Sequence, residues 1–313
     1  MHLLVPFAAE DSQACRQVLG DLSLPNLERL LALLVAEARD DGDAASFSPP
    51  HERALAAARR WHGGDGLLPF AAHAAAGDGV ATGAHAWALL TPSHWMLASE
   101  GATMLNPALL ALDEHDSRAL FASAGALFAS EGFEVAWGGA ERWYAARADL
   151  EHYATASLDR VVGRSVEPWL RPRGDAPRAT AALIRRLQSE AQLVFHAHEV
   201  NERREERGAL VVNSFWLSGC GRHQAAEGND APEVVETLRT PLLAGDWIAW
   251  ADAWRALDAG AIARLLAAAR SGAATTLTLC GERSAARFAL QPRSLWQRLR
   301  GTRVAARDLL ASL

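Results

Sequence analysis

The chain has 313 residues, half of them hydrophobic, and carries 31 basic against 37 acidic residues for a formal net charge of −6. A chain of this length can bury a sizeable core, in one large α/β domain or two smaller ones. Every basic residue is Arg, because the sequence contains no lysine, and the arginines alternate with Asp and Glu rather than forming a basic stripe. This composition excludes an ordinary nucleic-acid reader.

Cysteine usage and the amino-terminal run indicate the compartment. Cys15, Cys220 and Cys280 are far apart and odd in number, with no Cys-x-x-Cys pair, which is typical of a reducing cytosol. The apolar run from His2 to Ala9 has no basic region and is too short for a signal peptide or a membrane span. We therefore expect a cytoplasmic protein with no membrane partner.

The first predicted elements are a strand over Leu3 to Ala8 and a helix over Ser12 to Leu19. Asp11 precedes this helix, where a capping carboxylate is favoured, and a metal role for it is the alternative. A second helix starts with a proline, as helices often do. Its apolar face is formed by Leu27, Leu30, Leu31 and Leu34.

An acidic loop is predicted next, over Asp40 to Pro50. It lacks the alternating ligands and the distant Glu of a calcium loop, which favours a solvated loop. Ser48 stands before two prolines and a helix that contains Glu52, so it is interpreted as the cap of that helix. The alternative is that its hydroxyl serves as a catalytic nucleophile.

Tryptophan-rich strands surround one helix between Ala86 and Leu150, and this pattern predicts a small α+β unit. The helix is expected over Asp113 to Phe128. Its spacing places four apolar side chains in the core, namely Leu112, Leu120, Leu127 and Phe128.

The next stretch joins a helix, a turn and a strand. Helical spacing predicts a helix over Ala181 to Phe195, and Gly208 ends the polar segment that follows. Val211 to Leu217 is apolar without alternation, as expected for a strand covered on both faces in a parallel sheet. Residues 218–221 would then lie beyond its carboxyl end, where ligands bind in open α/β sheets.

The carboxyl-terminal third predicts two helices and a strand. The indoles of Trp247, Trp250 and Trp254 share one helix face and are interpreted as core or interface. Thr275 to Arg283 predicts a strand and a turn, and Trp296 to Leu313 an amphipathic helix.

The helix–turn–strand stretch resembles a block of the archaeal-type cofactor-independent phosphoglycerate mutases, members of the alkaline phosphatase superfamily. The shared pattern is His-x-x-Asn-x-x-Arg, then Gly, then Asn, then an aromatic strand ending in Gly-x-Gly. It falls on His198, Asn201, Arg204, Gly208, Asn213, Trp216, Gly219 and Gly221. The chain is also similar to proteobacterial proteins named either phosphoglycerate mutase or RpfE-type regulatory protein.

The resemblance implies an α/β fold with an alkaline-phosphatase-like three-layer core, a mostly parallel sheet and a small inserted α+β lobe. Residues 1–85 and 155–313 would form the core, and residues 86–154 would form the lobe that resembles the substrate lobe of the mutases. The family's lobe arginine corresponds to Arg142.

The residues that the family uses for catalysis are replaced in this chain. Two-metal phosphoryl transfer needs ligands that hold two cations about 4 Å apart. The positions that resemble the first-strand Asp, the Ser nucleophile and the late Asp-His turn are Pro6 or Phe7, His51, and Gly281 with Glu282. Asp65 stands where the family has an arginine suited to phosphate. The resemblance therefore implies no catalytic residue, no metal site and no cofactor.

Two other chemistries are weighed against this interpretation. His196 and His198 are two residues apart and would face different ways on a helix, which disfavours a shared metal. Cys220 lies near Arg222 and His223, which could lower a thiol pKa, but close backbone approach also explains the glycines beside it.

We interpret the chain as a non-catalytic regulatory or ligand-binding protein derived from a metal-dependent phosphoglycerate mutase. The alternative is a divergent, active phosphomutase or phosphatase acting on a small phosphorylated metabolite. The candidate ligand contacts are His198, Asn201, Arg204, Asn213, Ser218 and Arg142. They either bind an anion, such as a phosphorylated small molecule or a carboxylate of a protein partner, or they only satisfy hydrogen bonds within the fold.

Overall fold

The computed structural model describes residues 1–98, 101–171, 177–225, 231–291 and 305–313. The strands are β1 (His2–Val5), β2 (Val35–Asp41), β3 (Ala86–Ser93), β4 (Trp95–Ala98), β5 (Gly101–Met104), β6 (Glu134–Gly139), β7 (Arg142–Ala146), β8 (Ser214–Arg222), β9 (Glu233–Val234), β10 (Thr276–Cys280) and β11 (Ser284–Ala289). The helices are α1 (Gln13–Asp21), α2 (Pro25–Leu33), α3 (Pro50–Arg59), α4 (Phe70–Gly77), α5 (Glu114–Ser130), α6 (Leu158–Val161), α7 (Arg178–His196), α8 (Glu199–Glu206), α9 (Arg239–Leu243), α10 (Trp247–Leu257), α11 (Ala263–Arg270) and α12 (Ala306–Ala311). None of the helices in these ranges is both long and apolar enough to cross a membrane.

The chain divides into two compact units. The first unit comprises Met1–Ala45, Pro49–Arg60 and Ala226–Leu313, and the second comprises Ser46–Ser48 and Trp61–Ala225. The domains predicted above were drawn at other residues, because residues 61–85 and 155–225 pack with residues 86–154.

The first unit contains a five-stranded sheet in the order β2-β11-β10-β1-β9. Strand β1 runs parallel to β10 and β9, whereas β11 is antiparallel to both β10 and β2. The fold is therefore α/β as predicted, but this sheet is mixed rather than mostly parallel. The mixture arises because β10 and β11 form a tight hairpin, which only antiparallel strands can do.

Helices cover both faces of this sheet. One face packs Leu3, Val5 and Leu277 against α1, α2, α10 and α11, and the other packs Leu4, Cys280 and Ala285 against α3. The predicted leucine face of α2 is buried, and so are Trp250 and Trp254 on α10. The terminal helix predicted over Trp296 to Leu313 is seen in part as α12 (Ala306–Ala311), and the part of the prediction before residue 305 lies outside the described residues.

Two details of the first unit differ from the sequence-based expectations. Ser12, not Asp11, caps α1 by accepting the N–H of Cys15 at 3.1 Å, while Asp11 pairs with Arg16 at 2.7 Å. The predicted acidic loop starts later than expected, because Asp40 and Asp41 end strand β2. Strand β2 was missed because its polar side chains break the apolar alternation that marks a strand.

The second unit contains a four-stranded sheet in the order β6-β7-β3-β8 and a hairpin of β4 with β5. All its strand pairs are antiparallel, including β3 with β8. One face of the four-stranded sheet packs against α5, through Leu120 and Phe128, and against α7, through Leu187 and Phe195. The other face carries Trp87 and Tyr144 and packs against the alanines of α4.

Strand β8 corrects the prediction of a buried parallel strand. It pairs antiparallel with β3 in the register Leu90 with Leu217 and Leu89 with Ser218, and it continues to Arg222. The apolar run reflected burial on both faces, which an antiparallel strand between two helical layers also experiences. Ser218 and both glycines of the Gly-x-Gly pattern therefore lie within the strand, not beyond a ligand-binding strand end.

Candidate functional site

The residues of the mutase-like pattern lie around α8, which begins directly after α7. His198 is the N-cap of α8, and its Nδ1 accepts the N–H of Val200 at 3.2 Å. Its Nε2 lies 3.2 Å from the hydroxyl of Ser123 on α5. The ring is thereby placed as a helix cap and as a link to α5.

Asn201 is buried and uses its whole amide. Its nitrogen donates to the carbonyls of Phe195 and Val212, each at 2.7 Å, and its oxygen accepts the N–H of Val212 at 3.0 Å. These bonds tie the end of α7 to the segment that enters β8. The side chain compensates buried backbone groups that would otherwise be costly.

Arg204 is almost fully buried, with 1% of its side chain exposed. Its Nε donates to the carbonyl of Leu210 at 2.7 Å and its Nη2 donates to the carbonyl of Leu110, while Nη1 lies 3.7 Å from Asp116 Oδ2. Burial lowers the pKa of the guanidinium. The side chain points inward to two backbone carbonyls and Asp116, while the neighbouring Glu199 pairs with Arg203 at 3.7 Å.

Three further candidates have partners within the second unit. Asn213 exchanges two hydrogen bonds with the backbone of Trp95, at 2.7 and 2.9 Å. Ser218 is buried in β8. Arg142 donates to both carboxylate oxygens of Asp78, at 2.8 and 2.9 Å. The structure thus gathers His198, Asn201 and Arg204 at α8, whereas Asn213 directly precedes β8, Ser218 lies in β8 and Arg142 lies in β7.

The glycines of the Gly-x-Gly pattern are explained by helix packing. A Cβ on Gly219 would lie 2.9 Å from the backbone nitrogen of Ala71, and one on Gly221 would lie 2.9 Å from Cα of Pro69. Gly219 also has a φ of +69°, which favours glycine. Both glycines therefore allow the start of α4 to approach β8 closely.

Cys220 is unsuited to the thiol chemistry weighed above. Its side chain is fully buried, and burial raises its pKa to about 12. A thiol in this state is protonated at neutral pH and is a poor nucleophile. Arg222, which was weighed as a group that could lower the thiol pKa, pairs with Glu151 at 2.5 Å.

The strand ends of the first unit bring together two positions that resemble catalytic positions of the mutases. The rings of Phe7 and His51 lie 4.9 Å apart between centroids, and Phe7 has a left-handed φ of 57°. Nearby, Glu282 accepts the N–H of Asp11 at 2.9 Å, and Arg283 pairs with Asp11 at 3.0 Å. Among the described residues, no group of three or more His, Cys, Asp or Glu side chains is placed to hold a metal ion.

Asp65 and Ser48 connect segments of the second unit. The Asp65 carboxylate accepts the N–H groups of Phe47 and Ser48 at 2.9 and 2.8 Å. The Ser48 hydroxyl accepts the N–H of Gly66 at 2.9 Å, and the residue is buried. The N-cap position of α3 is Pro49, and the interpretation of Ser48 as a helix cap stays a prediction.

A cavity of about 520 Å³ lies in the first unit beside α3 and was not predicted from the sequence. Four arginines line it, from β2, from α3, from the residue after α3 and from β11: Arg39, Arg53, Arg60 and Arg287. We call it the arginine cavity. Its remaining lining is one acid, His2, Thr278 and five alanines. The signal that could have found it is the strand register, since Thr278 pairs with Arg287 and paired residues share a face.

Three of the four arginines face an acid. Arg39 pairs with Asp41 at 2.5 Å, Arg53 with Asp40 at 2.7 Å and Arg287 with Glu37 at 2.6 Å. The hydrogen bond from Arg39 lowers the pKa of Asp41, which therefore stays ionised at neutral pH. In the part of the chain that the structure describes, the exposed side chain of Arg60 makes no hydrogen bond or ion pair. The lining therefore has an excess of positive charge.

Comparisons with known proteins give distant matches only. No family model and no curated protein matches the chain. Among solved structures, a cofactor-independent phosphoglycerate mutase from Thermoplasma acidophilum is similar over 99% of this chain and 98% of its own, at 14% identity and a TM-score of 0.38. The Pyrococcus horikoshii protein PH0037 is similar over 99% of this chain and 95% of its own, at 10% identity and a TM-score of 0.44.

Proposed function

We propose that this chain is a cytoplasmic, non-catalytic protein that binds a small anionic ligand in the arginine cavity and acts through that binding. The observation that carries the proposal is the cavity itself, about 520 Å³ in volume and lined by four arginines. Ligand pockets commonly have volumes of about 300–1,000 Å³, with a few placed polar groups that orient the ligand. Arginine stays charged at any physiological pH and binds carboxylates and phosphates with several N–H groups.

Two of the four arginines in the cavity, Arg60 and Arg287, have unused donors, which distinguishes them from the polar side chains around α8. Arg60 has no partner within the described residues. Arg287 uses only Nε, toward Glu37, and both of its terminal nitrogens make no hydrogen bond in the described ranges. A bound anion would gain charge-assisted hydrogen bonds without displacing an internal one.

The non-catalytic part of the proposal is supported by the residues at the strand ends. An aromatic ring and an imidazole, Phe7 and His51, stand where the resemblance places a metal-binding Asp and a Ser nucleophile. Asp11, the aspartate that follows the first strand, pairs with Arg16 and Arg283. A protein that binds without turnover can report ligand concentration, which is the basis for proposing a regulatory role.

Thermal denaturation of the full chain with phosphate, organic phosphates and organic carboxylates tests the proposal. A ligand present at 100 times its Kd stabilises by about 2.7 kcal/mol, which raises Tm by roughly 4 °C for a chain of this size. The double variant Arg60→Ala with Arg287→Ala should lose this shift. The matched control, Arg264→Ala with Arg270→Ala, removes one exposed ion pair and one unpaired arginine elsewhere in the first unit and should keep it.

Two results would contradict the proposal. The proposal would be wrong if no tested anion raised the Tm of the chain. It would also be wrong if the anion-induced rise in Tm persisted in the double variant Arg60→Ala with Arg287→Ala. Manganese-dependent phosphoglycerate mutase or phosphatase turnover, at about 1 per second or above, would instead favour the divergent enzyme.

A further inference from the structure

The arginine cavity has two chemically different walls. The strand wall carries polar side chains from neighbouring strands, including Thr278 and Arg287, which are cross-strand partners on one face. The helix wall is formed by α3, which contributes the methyl groups of Ala54, Ala57 and Ala58 in addition to Arg53. A ligand that fits both walls needs a charged group and an apolar body.

Arg287 is positioned to bind the charged group. Its Nε donates to Glu37 Oε2 at 2.6 Å, which fixes the plane of the guanidinium. The two terminal nitrogens remain without hydrogen bonds within the described residues. Two parallel N–H groups spaced in this way match the two oxygens of a carboxylate.

The charge of the lining favours a monoanion. Arg39, Arg53 and Arg287 each face one acid, so that Arg60 supplies the single unneutralised charge at neutral pH. A dianion would exceed this charge and would also approach Asp40, which lines the cavity. Like charges at short range disfavour binding, whereas a monocarboxylate leaves the cavity close to neutral.

The volume and the methyl wall favour an organic ligand over a small inorganic ion. A cavity of about 520 Å³ is in the range that holds drug-sized molecules. The alanine methyls offer no hydrogen bond and stabilise only apolar atoms that leave water. We infer that the ligand is a small organic monocarboxylate, whose carboxylate is bound by Arg287 and Arg60 and whose apolar body packs on the helix wall.

This inference rests on the proposed function, and a ligand series separates the two. Isothermal titration calorimetry of the full chain would use acetate, butanoate, hexanoate, phosphate and butyl phosphate. Each buried methylene should tighten binding about fourfold until the wall is covered. Butanoate should also bind more tightly than butyl phosphate, which carries more charge.

Two variants test the walls separately. Arg287→Lys keeps the charge but loses the two parallel donors, so all carboxylates should weaken by about tenfold or more. Ala57→Leu fills the helix wall at an exposed position of α3, so hexanoate should weaken by about tenfold while acetate is unchanged. The controls Arg264→Lys and Ala267→Leu make the same changes at exposed positions outside the cavity and should have no effect.

The possible outcomes are distinct. If no anion binds, the proposed function fails together with the inference. If anions bind, but acetate and phosphate bind as tightly as hexanoate, the proposed binding function stands. The inference that the ligand is an organic monocarboxylate would then be wrong. Butyl phosphate binding about tenfold more tightly than butanoate would likewise overturn the choice of carboxylate.

Discussion

Arg204 and Arg287 carry the same guanidinium group and use it in opposite ways. Arg204 is buried in the second unit, and its nitrogens face the carbonyls of Leu110 and Leu210 and the carboxylate of Asp116. Arg287, about 40% exposed in the first unit, donates only its Nε to Glu37. The comparison teaches that Arg204, which carries the family resemblance, is used by the fold, whereas the guanidinium with unused donors belongs to Arg287.

The difference also gives the mutase-like pattern a physical meaning. His198 caps α8, Asn201 joins α7 to the segment before β8, and Asn213 holds the backbone of Trp95. Such roles require the same residue types at the same spacing as a ligand site would. The pattern is therefore as compatible with a structural connection between two helices and a strand as it is with a binding site.

The largest expected loss of stability follows from replacing the buried Arg204. Replacing Arg204 with Met would leave the buried carbonyls of Leu110 and Leu210 without their donor, while Asp116 keeps Arg203 and Arg207. Each buried acceptor left unsatisfied costs about 1–3 kcal/mol, so the two together cost about 2–6 kcal/mol. We expect the free energy of unfolding from urea denaturation to fall by this amount. The neighbouring Arg203 is partly exposed and contacts Asp116 at 3.2 Å. Arg203→Met is therefore the control, expected to cost less than about 1 kcal/mol.

The same measurement could show that Arg204 and Arg287 do not differ in this way. An Arg204→Met variant as stable as the control, which also loses the anion-induced shift in Tm, would return Arg204 to the ligand site. The arginine cavity would then no longer explain binding by itself.

Local patterns in the sequence predicted the helices well. The faces of α2 and α10 repeat at helical spacing, and burial of that stripe is the main contribution to helix stability in proteins. Strand β8 (Ser214–Arg222) overlaps the strand predicted over Val211 to Leu217 but continues further, and its direction could not be predicted. Whether a strand pairs parallel or antiparallel depends on β3, more than a hundred residues earlier, and no local pattern encodes that choice.

The candidate sites were harder to predict for a related reason. Local spacing shows that Asn201 and Arg204 share one turn of a helix, but not that they face carbonyls rather than solvent. The arginine cavity needs β11 to lie between β10 and β2, so that Arg287 reaches the face beside α3. Its residues are separated by more than 200 positions, and only the sheet order brings them together.

The next expected effect concerns Arg142, a predicted ligand contact that the structure pairs with Asp78. The hydrogen bond from Arg142 is the main cause that lowers the pKa of Asp78, which also accepts the hydroxyl of Tyr144 at 2.6 Å. Arg142→Gln should cost about 1 kcal/mol or less at neutral pH, because the arginine is half exposed. The folded-state pKa lies below the unfolded value, so this stability is present above about pH 4 and is lost as the pH falls through the folded pKa.

Denaturation curves between pH 7 and pH 2 measure that dependence. The difference between wild type and Arg142→Gln should shrink toward zero at the acid end, and the anion-induced shift in Tm at pH 7 should be equal in both. A constant difference at all pH values would exclude the ion pair as the cause. Loss of the anion-induced shift would instead place Arg142 in the ligand site.

The smallest expected effect on stability is that of Arg287→Ala, and it contrasts most sharply with Arg204. The variant loses one exposed ion pair with Glu37, and such pairs contribute between about 0 and 1 kcal/mol. Urea denaturation should therefore give a change of less than about 1 kcal/mol, equal within error to that of Arg264→Ala, which loses an exposed pair with Glu233. Hexanoate affinity should nevertheless fall at least tenfold in Arg287→Ala alone, because only that variant loses donors that the fold leaves unused. A large loss of stability in Arg287→Ala would mean that the fold itself uses this guanidinium, and the distinction between the two arginines would be wrong.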